Sequence, residues 1–157
     1  MKAFLPLLAS AVIGFSSTSE AGTIDLPVYG FQLDGLEAQP VDVPTSAVMT
    51  FLPVTDGFAP NINVQIQPYA GAMKDYVDMS KQQFVAMKWK VVSEKAIGDN
   101  EWVAEYAGPL QGNDLHFYAR ALSKNGKVYL VTGTAKESQW SAVGGTIRKH
   151  VDSFKLK

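Results

Sequence analysis

Residues Val91 to Ala135, VVSEKAIGDNEWVAEYAGPLQGNDLHFYARALSKNGKVYLVTGTA, decide the fold. Four segments in this stretch alternate apolar with polar residues: Val91–Ile97, Glu101–Gly108, Leu115–Leu122 and Lys127–Ala135. Alternation at period two sends successive side chains to opposite faces, so each segment predicts a strand. The separators are Gly98-Asp99-Asn100, Pro109 to Asp114, and Asn125-Gly126. Asn-Gly is the firmest hairpin signal, because both central residues of a tight two-residue turn need positive φ. Consecutive hairpins make the sheet antiparallel.

Hairpin arithmetic then sorts the side chains by face. With Asn125-Gly126 as the turn, Lys124 opposes Lys127, Leu122 opposes Tyr129 and Arg120 opposes Val131. With Pro109 opposite Asp114, Val103 opposes Arg120 and Glu105 opposes Tyr118. One face carries Trp102, Ala104, Tyr106, Leu115, Phe117, Ala119, Val128 and Leu130, with Thr132 and Thr134, and is the predicted core floor. The other is mixed: Glu101, Val103, Glu105, Ala107, His116, Tyr118, Arg120, Leu122, Tyr129 and Val131. A slip of one residue would exchange the faces of a strand.

Outward from the meander, the period changes. Met73, Tyr76, Val77, Ser80, Phe84, Met87 and Val91 follow one helical stripe, which predicts a helix over 73–89. Before it, Asn61–Tyr69 alternates, with Ile62, Val64 and Ile66 against Asn63, Gln65 and Gln67, and predicts a half-buried strand. Ala47–Leu52 is another strand candidate, stopped by Pro53. After the meander, Ser138 is placed to cap a helix that buries Trp140, Val143, Gly144, Ile147 and Val151. Gly144-Gly145 inside it predicts close helix–sheet packing. Ser153-Phe154-Lys155-Leu156 is expected to dock as a short edge segment. Strands, helix, antiparallel meander, helix is an α+β order.

The first 21 residues read as a secretory signal peptide. Lys2 is followed by an uncharged apolar run from Ala3 to Phe15, then small residues at Ser19 and Ala21, predicting cleavage before Gly22. That run is too short to span a bilayer, and no cysteine follows it to carry a lipid. A periplasmic or secreted location is therefore expected, without a stable membrane anchor. The remaining 136 residues are enough for one domain without a covalent staple. Absence of cysteine also removes thiol nucleophiles, iron–sulfur clusters and cysteine zinc sites. A net charge of −1 gives no long-range field to steer nucleic acid, and the lysines are dispersed. Residues 22–46 form an N-terminal arm interrupted by Pro27, Pro40 and Pro44, with one short strand around Val28–Leu33. Its apolar side chains are expected to cover the sheet edge or the mixed face, or to dock on a partner.

Chemistry has one candidate place, the mixed face. There Arg120 lies diagonally between Glu101 and Glu105, with Tyr118, His116 and Tyr129 nearby. The structural reading is an ion pair on a partly covered sheet; the functional one is a pocket for an anionic or sugar-like ligand. A paired-carboxylate hydrolase needs one acid kept protonated, and Arg120 works against that. His116 and His150 lack metal-ligand spacing, and His150 suits a helix C-terminus. No serine sits in a G-x-S-x-G elbow. No catalytic residue, metal or cofactor is expected.

Residues Phe58-Ala-Pro-Asn-Ile-Asn-Val-Gln-Ile66, the helix beginning near Met73, Glu105-Tyr106, Val128-Tyr-Leu-Val-Thr-Gly-Thr-Ala135 and Val151-Asp-Ser-Phe154 come in an order that resembles PsbP-like proteins, the bacterial DcrB-like branch above all. The resemblance covers residues 47–157 and implies an α/β/α sandwich around an antiparallel sheet, used for binding and assembly; it carries over no catalytic residue. The lipobox cysteine common in exported bacterial relatives is missing here. Three functions follow in order: a non-enzymatic exported binding or assembly protein with an exported or envelope protein partner, a small-ligand carrier using the face of Tyr118, Tyr129, Arg120 and Glu105, and a hydrolase.

Overall fold

The structure, a computed structural model, describes residues 23–26, 31–34 and 44–157. Strands β1 (Thr23–Leu26) and β2 (Phe31–Asp34) come first, then β3 (Thr45–Phe51), β4 (Asn61–Pro68) and helix α1 (Met73–Ala86). The meander follows as β5 (Lys90–Ala96), β6 (Glu101–Leu110), β7 (Asn113–Lys124) and β8 (Lys127–Lys136), and helix α2 (Glu137–Asp152) closes the chain. Strands β3 to β8 form one antiparallel sheet in the order β3-β4-β8-β7-β6-β5.

The register is the one deduced from the turns. Lys124 pairs with Lys127, Leu122 with Tyr129 and Arg120 with Val131; Pro109 pairs with Asp114, Val103 with Arg120 and Glu105 with Tyr118. Pro109 to Asp114 is not a loop, however. Both strands run on, and the turn is Gln111-Gly112, with φ of +51° and +79°, much like Asn125 and Gly126 at +53° and +71°. Pro109 is tolerated inside β6 because β5 pairs only as far as Ala107, so no ladder bond is lost on that side.

One helix covers each face, giving an α/β/α sandwich. Met73, Tyr76 and Phe84 of α1 pack on the predicted floor, where Trp102, Tyr106, Phe117 and Leu130 are buried. Helix α2 covers the mixed face through Trp140, Ile147 and Val151, which cluster with Val131 and Ala135. Its close approach is permitted by Gly133 on β8, where a Cβ would overlap Ile147 Cγ2 and lie 3.3 Å from Val151 Cγ2. The predicted role of Gly144-Gly145 is thus corrected. A Cβ on Gly144 would meet the Trp140 ring of its own helix at 3.0 Å, and Gly145 faces open space.

Helix α1 stops at Ala86, three residues short of the predicted end. Lys88 adopts φ +59°, its N–H bonds Val85 O at 3.1 Å, and the Trp89 N–H bonds Phe84 O at 2.8 Å. These two bonds, with the Phe84–Trp89 ring contact at 5.9 Å, make a left-handed helix stop. Such a stop normally uses glycine, since a side chain there costs about 1 kcal/mol. Lys88→Gly is therefore expected to raise the unfolding free energy by about 0.5–1 kcal/mol, read as a higher urea midpoint with unchanged slope.

Three further expectations need correction. Ser138 does not cap α2: the helix begins at Glu137, and Gln139 Oε1 accepts the Lys136 N–H at 3.0 Å. The Gln139 amide also donates to Thr55 O at 2.6 Å, tying the β3–β4 connection to the helix. Residues 153–156 form no strand; Phe154 packs on the α2 core instead. On β4 the deeper row is polar. Asn63 and Gln65 are 8% and 9% exposed, while Ile62, Val64 and Ile66 are only half-buried, because α2 reaches that strand from one side. In the arm, β1 and β2 form a separate two-stranded sheet, Thr23 opposite Asp34, in place of one strand over 28–33. Residues 1–22, 27–30 and 35–43, the predicted signal peptide among them, lie outside the described residues.

Candidate functional site

The mixed face is built by residues that β6 and β7 point toward α2. Glu105 sits at its centre, 9% exposed. Its Oε1 accepts from His116 Nε2 at 2.9 Å, Trp140 Nε1 at 3.1 Å and Arg148 Nη2 at 2.6 Å. Its Oε2 accepts from Arg148 Nε at 3.2 Å. Burial pushes the Glu105 carboxyl up, but the donors from Arg148 and His116, the Arg148 charge and the Trp140 N–H outweigh it and hold the group below its ordinary value. The His116 ring stacks on Trp140 at 3.9 Å and 13°, and its Nδ1 lies 2.8 Å from Glu137 Oε2. Both ring nitrogens thus face a carboxylate oxygen, and donating to both requires a proton on each. Arg148 lies over the Trp140 ring at 5.2 Å and the Tyr118 ring at 5.9 Å.

A second cluster holds the end of the helix. Arg120 donates through Nε to Glu101 Oε1 at 2.7 Å, and through Nη1 to Asp152 O and Phe154 O at 3.0 and 2.9 Å. Those carbonyls belong to the last turn of α2 and the segment after it, where helical partners run out. Tyr118 Oη donates to Asp152 Oδ1 at 3.0 Å; burial first, then Asp152, pushes its phenol up to about 12. The Tyr129 ring stands 6.5 Å from Phe154.

The six residues singled out from the sequence therefore share one face but divide into two groups. Glu101, Tyr118, Arg120 and Tyr129 gather at the C-terminal end of α2; Glu105 and His116 gather under Trp140 and Arg148. Arg120 does not bridge the two glutamates. It is engaged by Glu101 and carbonyls, and Arg148 takes Glu105. Trp140 was expected only as core, and Arg148 and Asp152 were not expected at this face. Their signal was present: Trp140, Gly144, Arg148 and Asp152 recur every four residues, one continuous stripe of α2 beside the apolar one. What the arrangement does chemically is clamp. Each carboxylate meets a cation or an N–H, and helix α2 occupies the space a ligand would need above Glu105. Among the described residues no group of three or more His, Asp or Glu side chains is arranged to hold a metal ion, and no helix is long and apolar enough to cross a membrane.

No protein-family model matches the chain, and no curated protein matches it. Solved structures do. A Pseudomonas aeruginosa protein of unknown function, PA94, superposes with a TM-score of 0.64 at 13% identity, over 87% of this chain and 96% of its own. The cyanobacterial PsbP of Synechocystis sp. PCC 6803 gives a TM-score of 0.48 at 13% identity, over 80% of this chain and 99% of its own. At such identity the first likeness speaks to the fold, an α+β sandwich shared along nearly the whole of PA94.

Proposed function

We propose that this chain is an exported, non-enzymatic binding or assembly protein of the PsbP-like kind, acting on an exported or envelope protein partner. The observation that carries the reading is the use of the polar inventory. Glu101, Glu105, Tyr118 and Arg120, the residues best suited to chemistry, hold helix α2 to the sheet. A general acid needs a raised carboxyl pKa, and Glu105 is shifted the other way. Export rests on the charged, apolar and small-residue pattern of residues 1–21. Membership of the DcrB-like branch rests on the order of fold-bearing residues quoted above. Helix α2 occupies the face that the small-ligand reading requires, which favours assembly over carriage.

A tagged chain expressed in its own host tests the reading. The expected result is recovery from the exported fraction, with one envelope protein co-purifying, and no turnover across esterase, glycosidase and phosphatase substrates. Retention in the cytoplasm, or a hydrolysis rate that Glu105→Gln abolishes, overturns it.

A further inference from the structure

Sheet edges are where such a protein has backbone to offer, and the two edges here differ. Strand β5 is guarded: it carries Lys90, Glu94 and Lys95, and its pairing with β6 is interrupted between Val91 and Ser93. Charge and a bulge are the usual defences of an exposed edge. Strand β3, at the opposite end of the sheet, has no charged residue, and the sequence from Pro44 to Thr55 has none either. It has one irregularity, between Ser46 and Val48, after which Val48 to Phe51 run in register against Val64 to Asn61. Along this edge and just beyond it Val48, Phe51 and Val54 are 48%, 61% and 68% exposed. Val48 lies opposite half-buried Val64, so an apolar strip reaches the edge on the α2 side.

From this asymmetry we infer that a second copy of the chain docks on the β3 edge, strand against strand, about a two-fold axis. The inference deepens the assembly reading and rests on it. In an antiparallel pair of identical strands, residues near the axis meet their own counterparts, so any charge there meets its like. The uncharged β3 escapes that penalty. A foreign strand, by contrast, is selected by charge complementarity or side-chain anchoring sites, and this edge offers no charge for the purpose. Pairing one open edge with its copy leaves only the guarded β5 edges outward, so growth stops at two chains and does not continue into a fibre. The continuous sheet then has twelve strands, with the two Val48 side chains close to the axis.

Sedimentation velocity on the purified full chain between about 1 and 100 µM tests this. Twice the chain mass at the upper concentrations is expected. Val48→Lys places two like charges near the axis and should raise the dimer dissociation constant about tenfold or more. Val92→Lys, on the guarded edge, should leave it unchanged. Circular dichroism melts of both variants establish that each is folded. A monomer at every concentration, or a Val48→Lys chain that dimerises like the wild type, overturns the inference. Co-purification separates it from the broader reading. A monomer that still recovers an envelope partner defeats the edge and leaves assembly standing. A Val48-dependent dimer that recovers none defeats the partner reading alone.

Discussion

Trp89→Ala is expected to lower the unfolding free energy by about 3–5 kcal/mol, the range for emptying an aromatic site in a packed core. Trp89 is 8% exposed and stacks on Phe117 at 4.8 Å, Tyr106 at 5.4 Å and Phe84 at 5.9 Å. Its indole N–H donates to Pro109 O at 2.9 Å, at a point where β6 has passed the end of β5. The ring also lies against Gly108, where a Cβ would overlap its Cδ1. Removal would therefore open a cavity and leave a carbonyl short of a donor, and it would take away the contact that closes the C-terminal stop of α1. Urea unfolding measures the loss as a lower midpoint at unchanged slope. Trp89→Phe keeps a ring but not the N–H, and should fall between the two. Equal losses for both variants would mean that the aromatic stack contributes little and the hydrogen bond carries the effect. Against a typical total stability of about 5–15 kcal/mol, the alanine variant should be marginally folded.

How much of this was legible depends on which link of the chain carried it. The meander could be read because Asn125-Gly126 fixes one register, and Pro109 opposite Asp114 fixes the next, so the two faces of β6, β7 and β8 followed residue by residue. The turn inside the second hairpin was hidden, since Gln111 adopts positive φ although glutamine carries no signal for it. Lys88 hid the end of α1 in the same way: the apolar stripe continues past Ala86, and only the backbone turns. At the candidate site, the residues contributed by strands were found because register alone places them. Their partners come from α2, and no strand arithmetic says where a helix will cross. Hence Arg120 was set between two glutamates, whereas the actual partition needs Arg148, brought over Glu105 by the close seat that Gly133 permits. Strand β4 fails for a different reason. Alternation tells which side chains share a face, not which face is more deeply covered, and here Asn63 and Gln65 lie deeper than Ile62 and Val64.

Glu105→Gln is the second large effect, and its pH dependence separates an ionised clamp from mere packing. The neutral amide accepts through one atom only, so its NH₂ must face either the Arg148 N–H on one side or the cluster of three donors on the other. Breaking a buried, charge-assisted network typically costs about 2–4 kcal/mol. The share from Arg148 is the smaller one, because its side chain is 41% exposed and can turn to water; His116 and Trp140 cannot. The sign with pH follows from the direction of the shift. Glu105 is held below its ordinary 4.5 in the folded protein, so near and below that pH the unfolded chain binds the extra proton. Its contribution is complete above about pH 5 and is lost as pH falls through the folded value. Groups facing it are His116 and Arg148, with Glu137 beyond the imidazole; their titration, and that of Glu101 and Asp152, is present in both proteins and largely cancels in the difference. The stability gap between wild type and Glu105→Gln should therefore be widest at pH 6 and shrink steadily toward pH 3, in urea titrations run at each pH. A gap that stays constant across that range would show that the carboxylate's charge does not hold α2 to the sheet, and that shape alone does.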